Sequence, residues 1–200
     1  MILRHFIIAL SLLLAAALVM GVYAWHMRGR AAATPAILTD AQPVVAAPAT
    51  GPTERITLWI AYDDIGMLRA QSAQIPMPGA RQQRAEELMR ALVQFYLEKN
   101  SPHPLAPGSE IRSVYLVDPG IAVIDVNAAF ADGHRSGILP EDLTIASLIQ
   151  TISANIAGIS KVKILVEGNR RETLAGHADL SHFFDVSAMN QLSTELQSTQ

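Results

Sequence analysis

Residues 111–126 read IRSVYLVDPGIAVIDV. Two β-rich runs, Ile111–Val117 and Ile121–Val126, flank Asp118-Pro119-Gly120, where proline presets φ and glycine permits a positive one, so the stretch predicts a β-hairpin. Downstream, Pro140-Glu141-Asp142 opens a helix, with proline at a tolerated first-turn position and acids at the positive end of the dipole. Ile145, Leu148, Ile149, Ile152, Ile156 and Ile159 supply its apolar stripe, and Gly158 lies near its end. Val162 to Val166 reads as a further strand, turned by Glu167-Gly168-Asn169, after which Arg170 to Leu180 is expected to return as a short edge pairing.

Upstream of the hairpin, Ile56, Leu58 and Ile60 alternate with Thr57, Trp59 and Ala61, the period of a strand, which Asp63-Asp64 and Gly66 end. A Pro/Gly loop around Pro76-Met77-Pro78-Gly79 follows. Ala85, Leu88, Met89, Leu92, Phe95 and Tyr96 then line one side of a helix that Asn100-Ser101-Pro102 stops. The order is β-α-β-β-α-β. It predicts an α+β fold in which two helices with single apolar stripes cover one face of a single sheet, leaving the other face to solvent or a partner.

Before this domain, Phe6 to Trp25 runs FIIALSLLLAAALVMGVYAW without a charge. About twenty such residues match a hydrocarbon layer of about 30 Å, so a single transmembrane helix over 6–25 is expected within an anchor of residues 1–30. Tyr23 and Trp25 sit where an interfacial aromatic belt would lie. A cleaved signal peptide is the competing reading, with Val22-Tyr23-Ala24 and Ala31-Ala32-Ala33 as processing triplets. The apolar run exceeds the roughly 7–15 residues of such a peptide, which favours a retained anchor. Residues 31–53, rich in Ala and Pro, read as a semi-extended linker. The domain proper is expected over 54–185 and a polar tail over 186–200. Arginines flank the apolar run on both sides, so the positive-inside rule is nearly balanced. The export-like start and long uncharged linker favour a domain on the extracytoplasmic side.

The chain has no cysteine, which excludes zinc ribbons, thiol redox motifs, Cys nucleophiles and a lipid-modified Cys. Its net charge is -3, and the first thirty residues hold three arginines and no acid, so the domain is more acidic than the whole. Such a surface gains nothing from phosphate neutralisation, and nucleic acid is not expected as a partner.

Several stretches together resemble the GerMN domain of the GerM sporulation and germination family: Val123-Ile124-Asp125-Val126-Asn127, Leu148-Ile149-Gln150-Thr151-Ile152, Val162-Lys163-Ile164-Leu165-Val166-Glu167-Gly168, and Gly176. The motif positions are Asp125, Thr151, Val166, Gly168 and Gly176. With the first strand and helix the likeness covers about residues 56–184. Val126-Asn127 stands where the family pattern has Leu-Ser, and Ala157-Gly158-Ile159-Ser160 replaces a Phe-Pro-Gly-Val-like helix exit. The resemblance implies an extracytoplasmic, often anchored module that mediates assembly or envelope contacts rather than catalysis.

Candidate chemistry is sparse. His177, Asp179 and His182 suggest a metal site, but their spacing fits no ligand motif and a terminal edge segment exposes such residues routinely. Asp125-Val-Asn127 with Asp132-Gly133 has part of a calcium loop but lacks its fifth-position ligand and bidentate Glu. Asp125 is better read as a strand-end acceptor of backbone hydrogen bonds. Asp63-Asp64 could supply paired carboxylates for glycan cleavage, though a strand-ending turn accounts for them. Trp59 points away from Leu58 and Ile60, which makes it a candidate interface residue or one shielded by a loop. No catalytic residue and no cofactor is expected. The expected function is a non-catalytic envelope module engaged in self-association or contact with another envelope protein. Its alternative is a glycan-binding or weakly hydrolytic protein touching peptidoglycan through Trp59, Tyr62, Asp63 and Asp64.

Overall fold

In the computed structural model the described residues are 52–190. The predicted membrane helix lies outside them, and among the described residues no helix is long and apolar enough to cross a membrane. The chain runs β1 (Thr53–Tyr62), β2 (Met67–Pro76), α1 (Arg81–Tyr96), β3 (Ile111–Val117), β4 (Ile121–Val126), α2 (Ala128–Asp132), α3 (Ile138–Asn155), β5 (Lys161–Val166) and β6 (Phe184–Asp185). Residues 186–190 then turn into a helix, with Val186 buried, so packing continues past Asp185.

The fold is α+β, but the single sheet is corrected to two: an antiparallel ribbon β1-β2 and a four-stranded sheet in the order β3-β4-β5-β6. The strand missed from sequence is β2, MLRAQSAQIP, which pairs with β1 over its whole length. Ile75 is its one β-branched residue and it buries only Leu68 and Ile75, so neither a β-branched run nor alternation announces it. The return strand is also corrected. Residues 170–180 make one isolated bridge, Thr173 with Asp179, and the pairing with β5 falls on Phe184–Asp185.

The hairpin forms where the sequence places it, with Leu116 facing Ala122 and Val114 facing Ile124. Parallel pairing of β4 with β5 then lines up Ala122, Ile124 and Val126 with Val162, Ile164 and Val166, which form the buried face. Gly120 closes the turn at φ 71°, and a Cβ there would lie 2.6 Å from the Gly158 carbonyl oxygen. Its own carbonyl accepts the Ser160 and Lys161 amides, so this turn also seats the start of β5. Gly120→Ala is expected to cost about 2–4 kcal/mol in urea denaturation, combining a left-handed backbone with a backbone clash.

The largest correction concerns α3. The predicted isoleucine stripe is buried, but so are Thr144, Ser147, Gln150 and Thr151 on the opposite side. A helix buried on two sides packs against two neighbours rather than on top of one layer, while Asp142 and Ala154 stay exposed. The isoleucines join the common apolar core, while β1 lies along the hydroxyl side, where Ser147 Oγ donates to the Trp59 carbonyl at 2.6 Å and the Trp59 amide donates to Thr151 Oγ1 at 2.9 Å. Asn155 Oδ1 accepts the Thr57 amide and its Nδ2 donates to the Thr57 carbonyl. The edge of β1 that would otherwise want another strand is thus satisfied by helix side chains. From α1, Tyr96 adds a rung: its hydroxyl accepts the Ala61 amide at 2.8 Å and meets Ser147 Oγ at 2.6 Å.

The outer face of the four-stranded sheet is covered unevenly. Over β5 the segment that follows lies close, and the buried Lys163 ammonium donates to the Leu180 and His182 carbonyls. Over β3 the face is open, with Tyr115 51% and Val117 48% exposed. The free edge of β3 is blocked at one point by the Gln82 side chain, which donates to the Val114 carbonyl and accepts the Leu116 amide.

Candidate functional site

The densest polar cluster joins three connections that are remote in sequence. The turn after β1 contributes Asp63, the α1–β3 connection His103, and the α2–α3 connection His134 and Arg135, all gathered around Thr144 in the second turn of α3. Asp63 Oδ1 lies 2.6 Å from His103 Nδ1, and Asp63 Oδ2 lies 2.9 Å from Arg135 Nη2. His103 Nε2 and His134 Nε2 both meet Thr144 Oγ1, at 2.6 and 2.7 Å, and His134 Nδ1 faces the Arg135 carbonyl at 2.8 Å. Burial pushes both imidazoles below their ordinary range, against the pull of Asp63 on His103 and of the Arg135 carbonyl on His134.

Asp63, His103 and Thr144 have the acid–imidazole–hydroxyl connectivity of a nucleophilic triad. They lack its access. His103 is 2% and Thr144 1% exposed, so a substrate carbonyl cannot approach the hydroxyl. What the cluster does is tie the hairpin tip to the start of α3.

A second buried ion lies one turn away from Thr144. Glu141, wholly buried, accepts the amides of Gly137 through Oε1 and of Ala175, His177 and Ala178 through Oε2, and its Oε1 lies 2.9 Å from His177 Nδ1. Burial alone would raise its pKa. The converging backbone amides and His177 outweigh that and hold the carboxyl at about 2. This carboxylate latches the loop 173–180 onto α3.

The metal candidates do not converge. His177 faces Glu141, whereas Asp179 pairs with His182 at 3.3 Å and caps the Ser181 amide. Among the described residues no three His, Asp or Glu side chains gather closely enough to hold a metal ion. Asp125 is buried and accepts the Gly168 amide at 2.7 Å, with Arg112 3.1 Å from its other oxygen. Thr151 carries the rung to Trp59, Val166 pairs with Val126, and Gly168 and Gly176 take positive φ of 74° and 120°. These motif positions are spread along the scaffold rather than assembled into one site. Trp59 is half-buried against the core, and Tyr62 lies with the Arg69 guanidinium 5.3 Å above its ring. Asp63 is claimed by His103 and Arg135, which separates it in role from exposed Asp64.

Sequence reasoning missed His103, His134, Thr144 and the latching role of Glu141. One signal was present: residues 143–154 read LTIASLIQTISA, uncharged on every side. A helix face in contact with water normally carries charge, so hydroxyls there point to burial.

Comparison with known proteins bears on the whole arrangement. The family model described as "Germane: Sporulation and spore germination" matches residues 59–172. No curated protein matches the chain. Among solved structures, the tandem GerMN domains of the sporulation protein GerM from Bacillus subtilis are similar at 20% identity and a TM-score of 0.51, over 67% of this chain and 46% of that one. The chain therefore spans less than half of the tandem protein. A candidate lipoprotein from Clostridium perfringens is 24% identical with a TM-score of 0.46, over 70% of this chain and 92% of that one. The first GerMN domain of the same Bacillus subtilis GerM is 16% identical with a TM-score of 0.43, over 64% and 92%. The family match covers more than half of the chain, from the first strand through the loop after β5, and on that ground the chain belongs to the sporulation and spore germination family of GerMN-like domains.

Proposed function

We propose that this protein is a non-catalytic contact module of the cell envelope, held at the membrane by its N-terminal apolar segment with the domain on the extracytoplasmic side. It meets a second copy or another envelope protein through the outer face of the four-stranded sheet. One observation carries this reading. Tyr115 and Val117 stand two residues apart on the same face of an edge strand and are about half exposed, while the opposite face of that sheet is sealed. Aromatic and apolar side chains presented together on a rigid strand are what contact surfaces are built from.

The double variant Tyr115→Ser, Val117→Ser is expected to weaken association at least tenfold, measured by sedimentation equilibrium of the full-length chain in detergent and by crosslinking in envelope fractions. Its thermal unfolding should stay close to that of the parent, since both side chains already face water. Association unchanged in the variant, or a parent chain that forms no complex by either method, would overturn the reading. Pelleting of the parent with purified peptidoglycan, lost in Trp59→Ala, would favour glycan contact instead. That rival is weakened because Asp63 is engaged by His103 and Arg135 rather than free for a sugar. Reporter fusions after Asp185, one active only inside the cell and one only outside, decide the side of the membrane.

A further inference from the structure

Two sheets have four outer edges, and three of the four are closed in this domain. Side chains of α3 and α1 hold the outer edge of β1, accepting the amides of Thr57, Trp59 and Ala61. Gln82 plugs the edge of β3 at Val114 and Leu116. The edge at β6 is only two residues long. The fourth edge belongs to β2, ten residues long, and among the described residues no hydrogen-bond partner lies along its outer side.

Which groups that edge presents follows from its ladder with β1. In an antiparallel pair, residues alternate between bonding the partner through both amide and carbonyl and turning both groups away. The odd-numbered residues of β1 turn theirs toward the helices, at Thr57, Trp59 and Ala61. In step with this, the Met77 amide donates to the Pro52 carbonyl, one pair beyond Thr53 and Pro76. The bonded pairs are therefore Glu54 with Ile75, Ile56 with Ala73, Leu58 with Gln71 and Ile60 with Arg69. On β2 it is the even-numbered residues that face outward. Leu68 is buried and Pro76 has no amide, which leaves Ala70, Ser72 and Gln74, all exposed, each offering an amide and a carbonyl.

Folded proteins guard such an edge with lysines, internal prolines or bulges, because an unpaired strand is a template for another. This one has none of those guards. Its register with β1 is unbroken over all ten residues, Arg69 is its one charge, and its proline stands at the very end. We propose that β2 is an interface for a second copy of this chain, the two β2 strands pairing antiparallel about a two-fold axis at Ser72.

In that register Ser72 meets its own counterpart, Ala70 meets Gln74 and Gln74 meets Ala70, so each outward amide finds a carbonyl. Pairing stops on both sides where Pro76, without an amide, comes opposite buried Leu68. Charge does not oppose it either. The two Arg69 side chains stand six residues apart along the pair, about 20 Å, well beyond a screening length of about 8 Å. This self-complementarity is what selects a second copy as the occupant. A two-fold contact is also closed, so it yields a dimer rather than a growing fibre, with a continuous sheet in the order β1-β2-β2-β1. The surface is separate from the Tyr115 face and does not depend on it.

The chain has no cysteine, so an introduced one reports its own neighbour. In the full-length chain in detergent under mild oxidation, Ser72→Cys is expected to form a covalent dimer at least tenfold faster than Gln74→Cys. Counterparts at Ser72 lie about 5.5 Å apart between Cα atoms, within disulfide reach, whereas those at Gln74 lie four residues apart. Combining Ala70→Cys with Gln74→Cys should restore the fast rate. In the parent, exchange of the Ala70, Ser72 and Gln74 amides should slow as protein concentration rises. Ser72→Pro should abolish that slowing at Ala70 and Gln74 while unfolding near the parent temperature, because the amide it removes points away from β1. Equal crosslinking at Ser72 and Gln74, exchange independent of concentration, or slowing that survives Ser72→Pro would each overturn the proposal. The crosslinking pattern decides even if Ser72→Pro does not fold. The same pattern should persist in the Tyr115→Ser, Val117→Ser background, so failure here and failure of the Tyr115 face are told apart.

Discussion

Glu141→Ala is expected to destabilise the domain by about 4–6 kcal/mol at neutral pH, an effect comparable to the total stability of many small domains. Its carboxylate is the acceptor for the amides of Gly137, Ala175, His177 and Ala178. Hydrogen bonds to a charged acceptor contribute about 1.5–3 kcal/mol each, though not additively, and removal leaves buried donors unpaired. Loop 173–180 should detach first, seen as loss of amide exchange protection there. Glu141→Gln should fall between parent and alanine, since its oxygen still receives the three loop amides while its NH2 opposes Gly137.

The same group sets an acid limit. Its folded pKa of about 2 lies below the ordinary value of 4.5, so its contribution is complete above about pH 5 and is lost as the pH falls toward 2. Over that range the charge contributes on the order of 3 kcal/mol. Urea denaturation at pH 7 and pH 3 should show the gap between parent and Glu141→Ala narrowing in acid. A gap independent of pH would mean that shape, and not charge, makes the latch.

The second large effect is expected from Thr151→Val combined with Asn155→Leu, which keeps volume on α3 but strips the acceptors and donor that face β1. The Trp59 and Thr57 amides and the Thr57 carbonyl would then lie against hydrocarbon. A loss of about 3–5 kcal/mol is expected, with an unpaired strand edge that promotes aggregation during unfolding. Reversible unfolding with less than about 1 kcal/mol lost would show that water takes over these rungs.

Legibility from sequence followed the range of the interaction. The turn at Asp118-Pro119-Gly120, the apolar stripes of α1 and α3 and the β5 run are local patterns, and each is found where the residues place it. The β2 strand is not legible because its exposed Arg69-Ala70-Gln71-Ser72 pairs through the backbone, which no apolar side-chain pattern reports. Glu141 was read only as an acid at a helix start. Its loop partners Ala175, His177 and Ala178 lie more than thirty residues downstream, and one sequence does not reveal that proximity. The same holds for Asp63 and His103, forty residues apart and brought together only by the finished fold. The layering differs for another reason: a single apolar stripe predicts one covered face, whereas the uncharged side of α3 that carries Thr144, Ser147 and Thr151 is buried as well.

The seam between α3 and β1 also sets a limit on length. Four helix residues advance about 6.0 Å, whereas two strand residues advance about 6.8 Å. Ser147 and Thr151 meet Trp59 and Asn155 meets Thr57, and such a match holds for only a few repeats before the two rulers drift apart. A longer ribbon could not be accommodated by lengthening the helix. It would need a bend, a new element or a gap, so the span of this join is fixed by the mismatch of two natural pitches, and insertions in related chains should collect beyond its ends.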